Sequence, residues 1–339
     1  MTDKQLPNKR CLPTIGLVTA VALSGWPALT SAQIEADSSP PPLSASDIDE
    51  MFNDLSNWGR WGEDDQRGTL NLITPEKRRQ AATLVREGIS VSLSQNLSTV
   101  ESVDNTTPMQ LIMTAQPGSP VAMDEWRIFY HGLTYAHLDA LCHARYKGKA
   151  YNGFSASDAT ESGCASSGIE HLKEGILSRG ILIDIPRLKG VSYLDPGTAV
   201  LASDIEAWER EVGVRIEPGD VVLVRTGRWA KRAEIGPYSL QAGSPGIHVS
   251  ALPLIRERDV AALGTDVGLD VVPAGIDGVA IPTHTVAIAA IGLLIIDNAD
   301  LEPLAETAAR LNRWEFMLSV APVPVTGATG SVVNAIATF

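Results

Sequence analysis

The sequence predicts an α/β fold on a mixed β-sheet, and three observations carry that prediction. Short, nearly uninterrupted apolar runs rich in β-branched residues recur along the chain, as in Ile181-Leu182-Ile183-Asp184-Ile185 and Val221-Val222-Leu223-Val224. Runs of this length and composition read as strands buried on both faces. Capped segments with helical periodicity fall between them, and such alternation of element types is the signature of an α/β layer architecture. Finally, 44% hydrophobic and 20% charged residues, with 29 Gly and 21 Pro among 339, make a globular composition and exclude collagen-like, coiled-coil and disordered chains.

The chain opens with Lys4, Lys9 and Arg10, then an uncharged apolar stretch from Cys11 to Leu23, then small residues at Thr30-Ser31-Ala32. This is the layout of a secretory signal peptide over 1–32, and the apolar stretch is short for a bilayer span. Residues 33–45 are polar and Pro-rich, the composition of a disordered linker. One domain is expected over 46–339, because no further linker or fixed-period repeat follows. Thr74-Pro75-Glu76 supplies a cap, a Pro at the first helical position and an acid in the first turn, predicting a helix to about Arg86 that stops at Gly88. A strand is expected at 89–93. Others follow at 181–185, 220–225, 261–266, 293–296, 316–321 and 332–339. Helices are expected at 203–212, 252–259, 284–291 and 299–312. The stretch 286–296 is apolar but too short to span a membrane, so it reads as buried core.

With 27 Lys+Arg against 40 Asp+Glu, the net charge is −13, and nucleic acid is a poor partner for so acidic a chain. Three cysteines do not make a disulfide framework. Cys142 adjoins His143, but neighbours on a strand point to opposite faces, so Cys142 reads as a buried small hydrophobe rather than a nucleophile. No Gly-x-Ser-x-Gly elbow is present.

Chemistry concentrates in HGLTYAHLDALCH, which holds three of the six histidines within thirteen residues. On a strand, His137 and Asp139 point to the same side and can grip one cation, and a following turn would bring His143 back over it. Imidazole plus carboxylate suits Zn²⁺ or Mn²⁺. The alternative reading is ordinary polar residues at a strand end. In PTHTVAIAAIGLLIIDNADL, His284 precedes an apolar run that ends at Asp297. By spacing alone these are equally a core histidine and a strand-end acid.

Six segments, in order, resemble the cyclase family of metal-dependent hydrolases, the group that includes bacterial kynurenine formamidase and isatin hydrolase. They are WGEDDQRGTLNLITPEKRRQAA, HGLTYAHLDALCHARYKGKAYNGF, RGILIDIPRL, EPGDVVLVRTGRW, SPGIHVSALPLIRERDVAALGTD and GATGSVVNAIA. The resemblance spans nearly all of the mature chain. It implies a mixed sheet or barrel-like core with surrounding helices, of the swivelling β/β/α type. The formamidase motif runs His-x-Gly-Thr-His-x-Asp-x-Pro-x-His. By resemblance His137, Asp139, His284 and Asp297 are metal ligands, and His143 transfers protons. Three positions depart from the pattern. Leu133 stands where the leading His is expected, Tyr135-Ala136 replaces Gly-Thr, and Asp297 replaces a bridging Glu. His131 is a candidate extra ligand from a nearby turn.

The resemblance implies an amidohydrolase cleaving a C–N bond (formamide, amide or lactam) with metal-activated water. Aromatic residues cluster around the motif segments and suggest a flat, aromatic or cyclic substrate, with Trp61 and Tyr135 as candidate binding residues. The alternatives are an esterase or lactonase on the same site, or a non-catalytic small-molecule-binding protein. A secreted or periplasmic homo-oligomer, dimer or tetramer, is expected, with neither nucleic acid nor, after leader removal, membrane as a partner.

Overall fold

The computed structural model describes residues 39–339, so the expected leader and the first six residues of the expected linker, 33–38, lie outside the described residues. A nine-stranded mixed sheet organises the fold and curls into a half-barrel with helices around it. Its strands are β1 (Ser90–Ser92), β2 (His137–Asp139), β3 (Ile176–Asp184), β4 (Val221–Arg225), β5 (Ala262–Thr265), β6 (Leu294–Asp297), β7 (Glu315–Val320), β8 (Gly330–Val332) and β9 (Ile336–Thr338). Their spatial order is β1-β9-β7-β3-β4-β5-β6-β2-β8.

The four central strands β3, β4, β5 and β6 are mutually parallel. Almost every residue in them is buried, which is why they read as continuous apolar runs rather than alternating ones. The outer strands pair antiparallel, and β7 alternates buried with half-buried positions, as a strand with one covered face does. The helix Ala202–Val212 seals one face through Ile205 and Trp208, whose indole nitrogen donates to the Leu182 carbonyl at 2.8 Å. Arg179 and Lys77 enter this core paired: Arg179 bonds both carboxylate oxygens of Asp220 at 2.9 and 2.7 Å, and Lys77 reaches the same acid at 2.5 Å.

Several element boundaries shift for identifiable reasons. Thr74 caps the helix Pro75–Ala82 by accepting from the Lys77 amide at 3.2 Å. That helix closes early, where the Thr83 hydroxyl turns back to the Gln80 carbonyl. Ile185 leaves the strand and begins a short helix, Ile185–Lys189, because the Asp184 carboxylate caps the Arg187 amide. The helix Ala45–Asp54 reaches one residue into the expected linker. Its signal was a capping box, with Ser44 and Asp47 each bonding the other's backbone. Cys142 is buried but not free: it is disulfide-bonded to Cys164, with Cα atoms 6.5 Å apart. Among the described residues no helix is long and apolar enough to cross a membrane.

Candidate metal centre

The centre begins with strand register. β2 lies between β6 and β8, and its His137 stands directly across from Asp297, while Asp139 stands across from Gly330. Leu138 pairs with Ile296 and Ser331 and points to the opposite face, so His137, Asp139 and Asp297 share one side of the sheet. All three are buried, and one ligand atom from each falls within 4.8 Å of the others. The His137 ring is oriented by an Nδ1 contact to the Tyr135 carbonyl at 2.8 Å, which turns Nε2 toward Asp139, 3.5 Å away.

Two turns complete the cluster. After β2 the chain bends, with the His143 amide donating to the Ala140 carbonyl, and the His143 ring returns over Asp139 at 3.9 Å. It stacks on His131 with ring centres 4.1 Å apart and planes within 11° of parallel. His131 bonds Thr329 through Nε2 at 2.7 Å and presents Nδ1 to Asp139 at 3.2 Å. One ligand atom each from His131, Asp139 and His143 again falls within 4.8 Å of the others. Gly330 makes this approach possible, since a Cβ there would lie 2.6 Å from the Leu138 carbonyl and 3.1 Å from the His131 ring.

His284 arrives from outside the sheet, on the turn Pro282–His284 that leads into a buried π-helix, Thr285–Ile291. Its Nε2 lies 3.1 Å from Asp297 and 3.8 Å from Asp139. Asp270 was not anticipated. It caps this turn through the amides of Thr283 and His284 and takes His284 Nδ1 at 2.5 Å. A carboxylate on the remote nitrogen fixes the ring and directs Nε2 inward. No local spacing could have revealed it, because the loop from 271 to 281 separates the two residues in sequence.

The electrostatics follow from burial of several charges together. Burial raises the Asp139 carboxyl, but the adjacent His131 ring and the fields of His137, His143 and His284 outweigh it and hold the group well below the usual carboxylate range. Burial and the neighbouring rings lower His143 despite the pull of Asp139. Burial lowers His284 too, yet Asp297 and Asp270 win and raise it well above its ordinary value. His131 Nδ1, both oxygens of Asp139 and Asp297 Oδ1 are buried and have no hydrogen-bond partner among the described residues. Orphaned carboxylate oxygens are costly. A divalent cation fits them, supplying the missing charge to a donor set of imidazoles and carboxylates.

Leu133 and Tyr135 lie beside this cluster. The Leu133 side chain packs over Gly268, where a Cβ would sit 3.2 Å from Leu133 Cδ2 and 3.9 Å from Asp297 Oδ2. A cavity of about 260 Å³ opens beside His131, with Phe129, Leu133, Tyr135 and Leu240 in its lining. Tyr135 lines it, but its hydroxyl is committed to the Met109 amide, the Ser98 carbonyl and Asn105. Trp61 lies against the Arg60 guanidinium at 4.8 Å and is not among the residues of that cavity.

Comparison with known proteins gives this geometry a context. A family model described as putative cyclase matches residues 83–270. A crystal structure described as a novel cyclase is 32% identical, with a TM-score of 0.75, over 85% of this chain and 99% of its own. An isatin hydrolase bound to the product analogue thioisatinate is 20% identical, with a TM-score of 0.53, over 76% of this chain and 93% of its own. Isatin hydrolase A from Labrenzia aggregata, bound to benzyl benzoate, is 19% identical with the same TM-score, over 76% of this chain and 94% of its own. These last two likenesses are of fold. No match was found among the curated proteins. With more than half of its length matched by the family model and a solved relative at 32% identity, the chain belongs to the cyclase family.

Proposed function

We propose that the protein is a metal-dependent hydrolase that opens an amide-type C–N bond in a small cyclic or aromatic substrate. The observation that carries the reading is the convergence of His137, Asp139, Asp297 and His284, with carboxylate oxygens left unpaired. These four would hold the cation, and His131 is positioned as an additional ligand. Zn²⁺ and Mn²⁺ both suit the donors. When bound, such an ion lowers the pKa of water toward neutrality and polarises a carbonyl oxygen.

His143 supports the proton-transfer step. Its side chain is 28% exposed, against 4% for His137, so it is the more accessible ring of the two. Burial keeps it below its ordinary pKa, which favours the neutral ring that accepts a proton. Water oxygen joins the carbonyl carbon, His143 takes the proton, and the proton passes to the departing nitrogen as the C–N bond breaks. The fold likeness to isatin hydrolases supports a lactam or related cyclic amide as substrate class. The cavity of about 260 Å³ beside His131 suits a compact ring system.

The Cys142–Cys164 disulfide supports an oxidising, secreted or periplasmic compartment. Leu111, Ile112, Met113 and Trp126 are exposed on the hairpin of Gln110–Met113 and Asp124–Arg127. A lone hairpin is marginal in water, which supports its burial in a homo-oligomer, read out by light scattering. The deciding experiment joins elemental analysis to a panel of aryl formamides, lactams and lactones. The expected result is bound divalent metal and C–N cleavage that chelator removes and metal restores. Turnover of lactones alone would favour the esterase alternative, and a protein that takes up no metal would refute the reading.

A further inference from the structure

We infer that Arg228 and Asn298 form a clamp that positions the turn between His131 and His137, and so sets the shape of the metal centre. This rests on the metal reading above. Arg228 opens the helix Arg228–Ile235, and its backbone is pinned because Asp266 accepts from the amides of Thr226, Gly227 and Arg228 at 2.8, 2.8 and 3.1 Å. Its guanidinium is buried and crosses to Asn298 Oδ1 at 2.7 Å and to the Leu133 carbonyl. The Asn298 amide nitrogen then donates to the Gly132 carbonyl at 2.9 Å and reaches the Tyr135 carbonyl at 3.4 Å. Three of the four carbonyls from Gly132 to Tyr135 are thus held by two side chains.

The placement is what matters. Asn298 directly follows Asp297, and the Tyr135 carbonyl is the one that orients His137. Asn298 is fully buried with φ +58°, a conformation that Asn adopts more readily than most residues, and its amide bonds the Val267 carbonyl at 3.0 Å. A buried guanidinium whose partners here are a carboxamide and a carbonyl is a costly device. Packing alone does not call for it, and an apolar side chain would fill the space at less cost. What it supplies is a planar, two-armed donor that ties the turn to the strand carrying Asp297. Burial, ahead of the nearby charges, pushes this group down to about 10.

The test uses the full chain and Co²⁺ as a spectroscopic probe. Arg228→Met and Asn298→Gly break the clamp, and Gly keeps the left-handed backbone without strain. Arg228→Lys retains one donor. Co²⁺ affinity should fall about 10- to 100-fold in the first two and less in the Lys variant. The visible Co²⁺ bands should change in shape, and kcat should fall more than KM rises. If both breaking variants lower Tm but bind Co²⁺ with the parent's affinity and bands, the residues are merely structural and the inference is overturned. If Arg228→Met does not fold, Asn298→Gly decides alone. If the parent chain binds no Co²⁺, the metal reading itself fails, and this inference falls with it. Parent binding with unaltered variants fails the clamp only.

Discussion

His137, Asp139 and Asp297 stand on strands inside the sheet, whereas His131, Leu133 and His143 stand on turns beside it. The first group is set by backbone register: His137 faces Asp297 because β2 and β6 are hydrogen-bonded neighbours, and slipping either by one residue would turn its side chains to the other face. The second group is set by a few side-chain bonds, among them His131 to Thr329 and Asn298 to Gly132. Strand-borne residues are therefore rigid and expensive to move, and turn-borne residues are adjustable. A chain can replace a turn residue, as with Leu133, and present His131 from two positions earlier, while the strand residues keep their geometry.

That contrast is broken most directly at Asp139. Asp139→Asn removes the one acid that every ring of the cluster faces. Metal affinity should fall by more than about 100-fold, beyond the loss typical of an outer-shell partner. Elemental analysis of the purified variant checks it, and normal metal content would remove Asp139 from the ligand set. On the turn side, His143→Ala should leave metal content intact and lower kcat by about 10²-fold or more. Loss of metal in that variant would make His143 a ligand rather than a proton carrier.

What could be read beforehand follows the same division. The His137 and Asp139 pair was legible because period two on a strand is a local property of the chain. The central strands were legible because burial on both faces leaves an unbroken apolar run, as in Val221–Arg225. Which strands become neighbours is a long-range outcome, so the Asp297–His137 pairing needed the fold and, before it, the family resemblance. Asp270 was hidden for the same reason, since only tertiary closure brings it to His284. The helix Ala45–Asp54 is different: its capping box is a local signal, masked by the Pro-rich stretch that precedes it.

The disulfide sharpens the comparison from the stability side. It ties the turn before His143 to Cys164 across a separation of 22 residues. Replacing both cysteines by Ser should cost about 2–4 kcal/mol in urea unfolding, mainly by freeing the unfolded chain. Metal content should hold, because the strand residues of the cluster do not depend on that cross-link. Loss of metal together with stability would mean that the turns support the strands more than their register implies.

The mildest perturbation is Tyr135→Phe. Tyr135 is buried two residues before the strand His137–Asp139, yet its hydroxyl serves a different segment, accepting from the Met109 amide at 2.8 Å and lying 2.8 Å from the Ser98 carbonyl. Phe fills the same space, so the core should not collapse, but one amide and one carbonyl of the 98–109 loop lose their partner. The cost should be about 1–2 kcal/mol, and it should appear locally. Hydrogen exchange in 98–109 should quicken while the sheet amides stay protected. If substrate enters through the cavity that this loop helps to line, KM should rise a few-fold (roughly 0.5–1 kcal/mol of binding) with kcat nearly unchanged. An unaltered exchange rate in the loop would mean that it is held by Thr134 and Arg232, which bond Asp104, rather than by Tyr135.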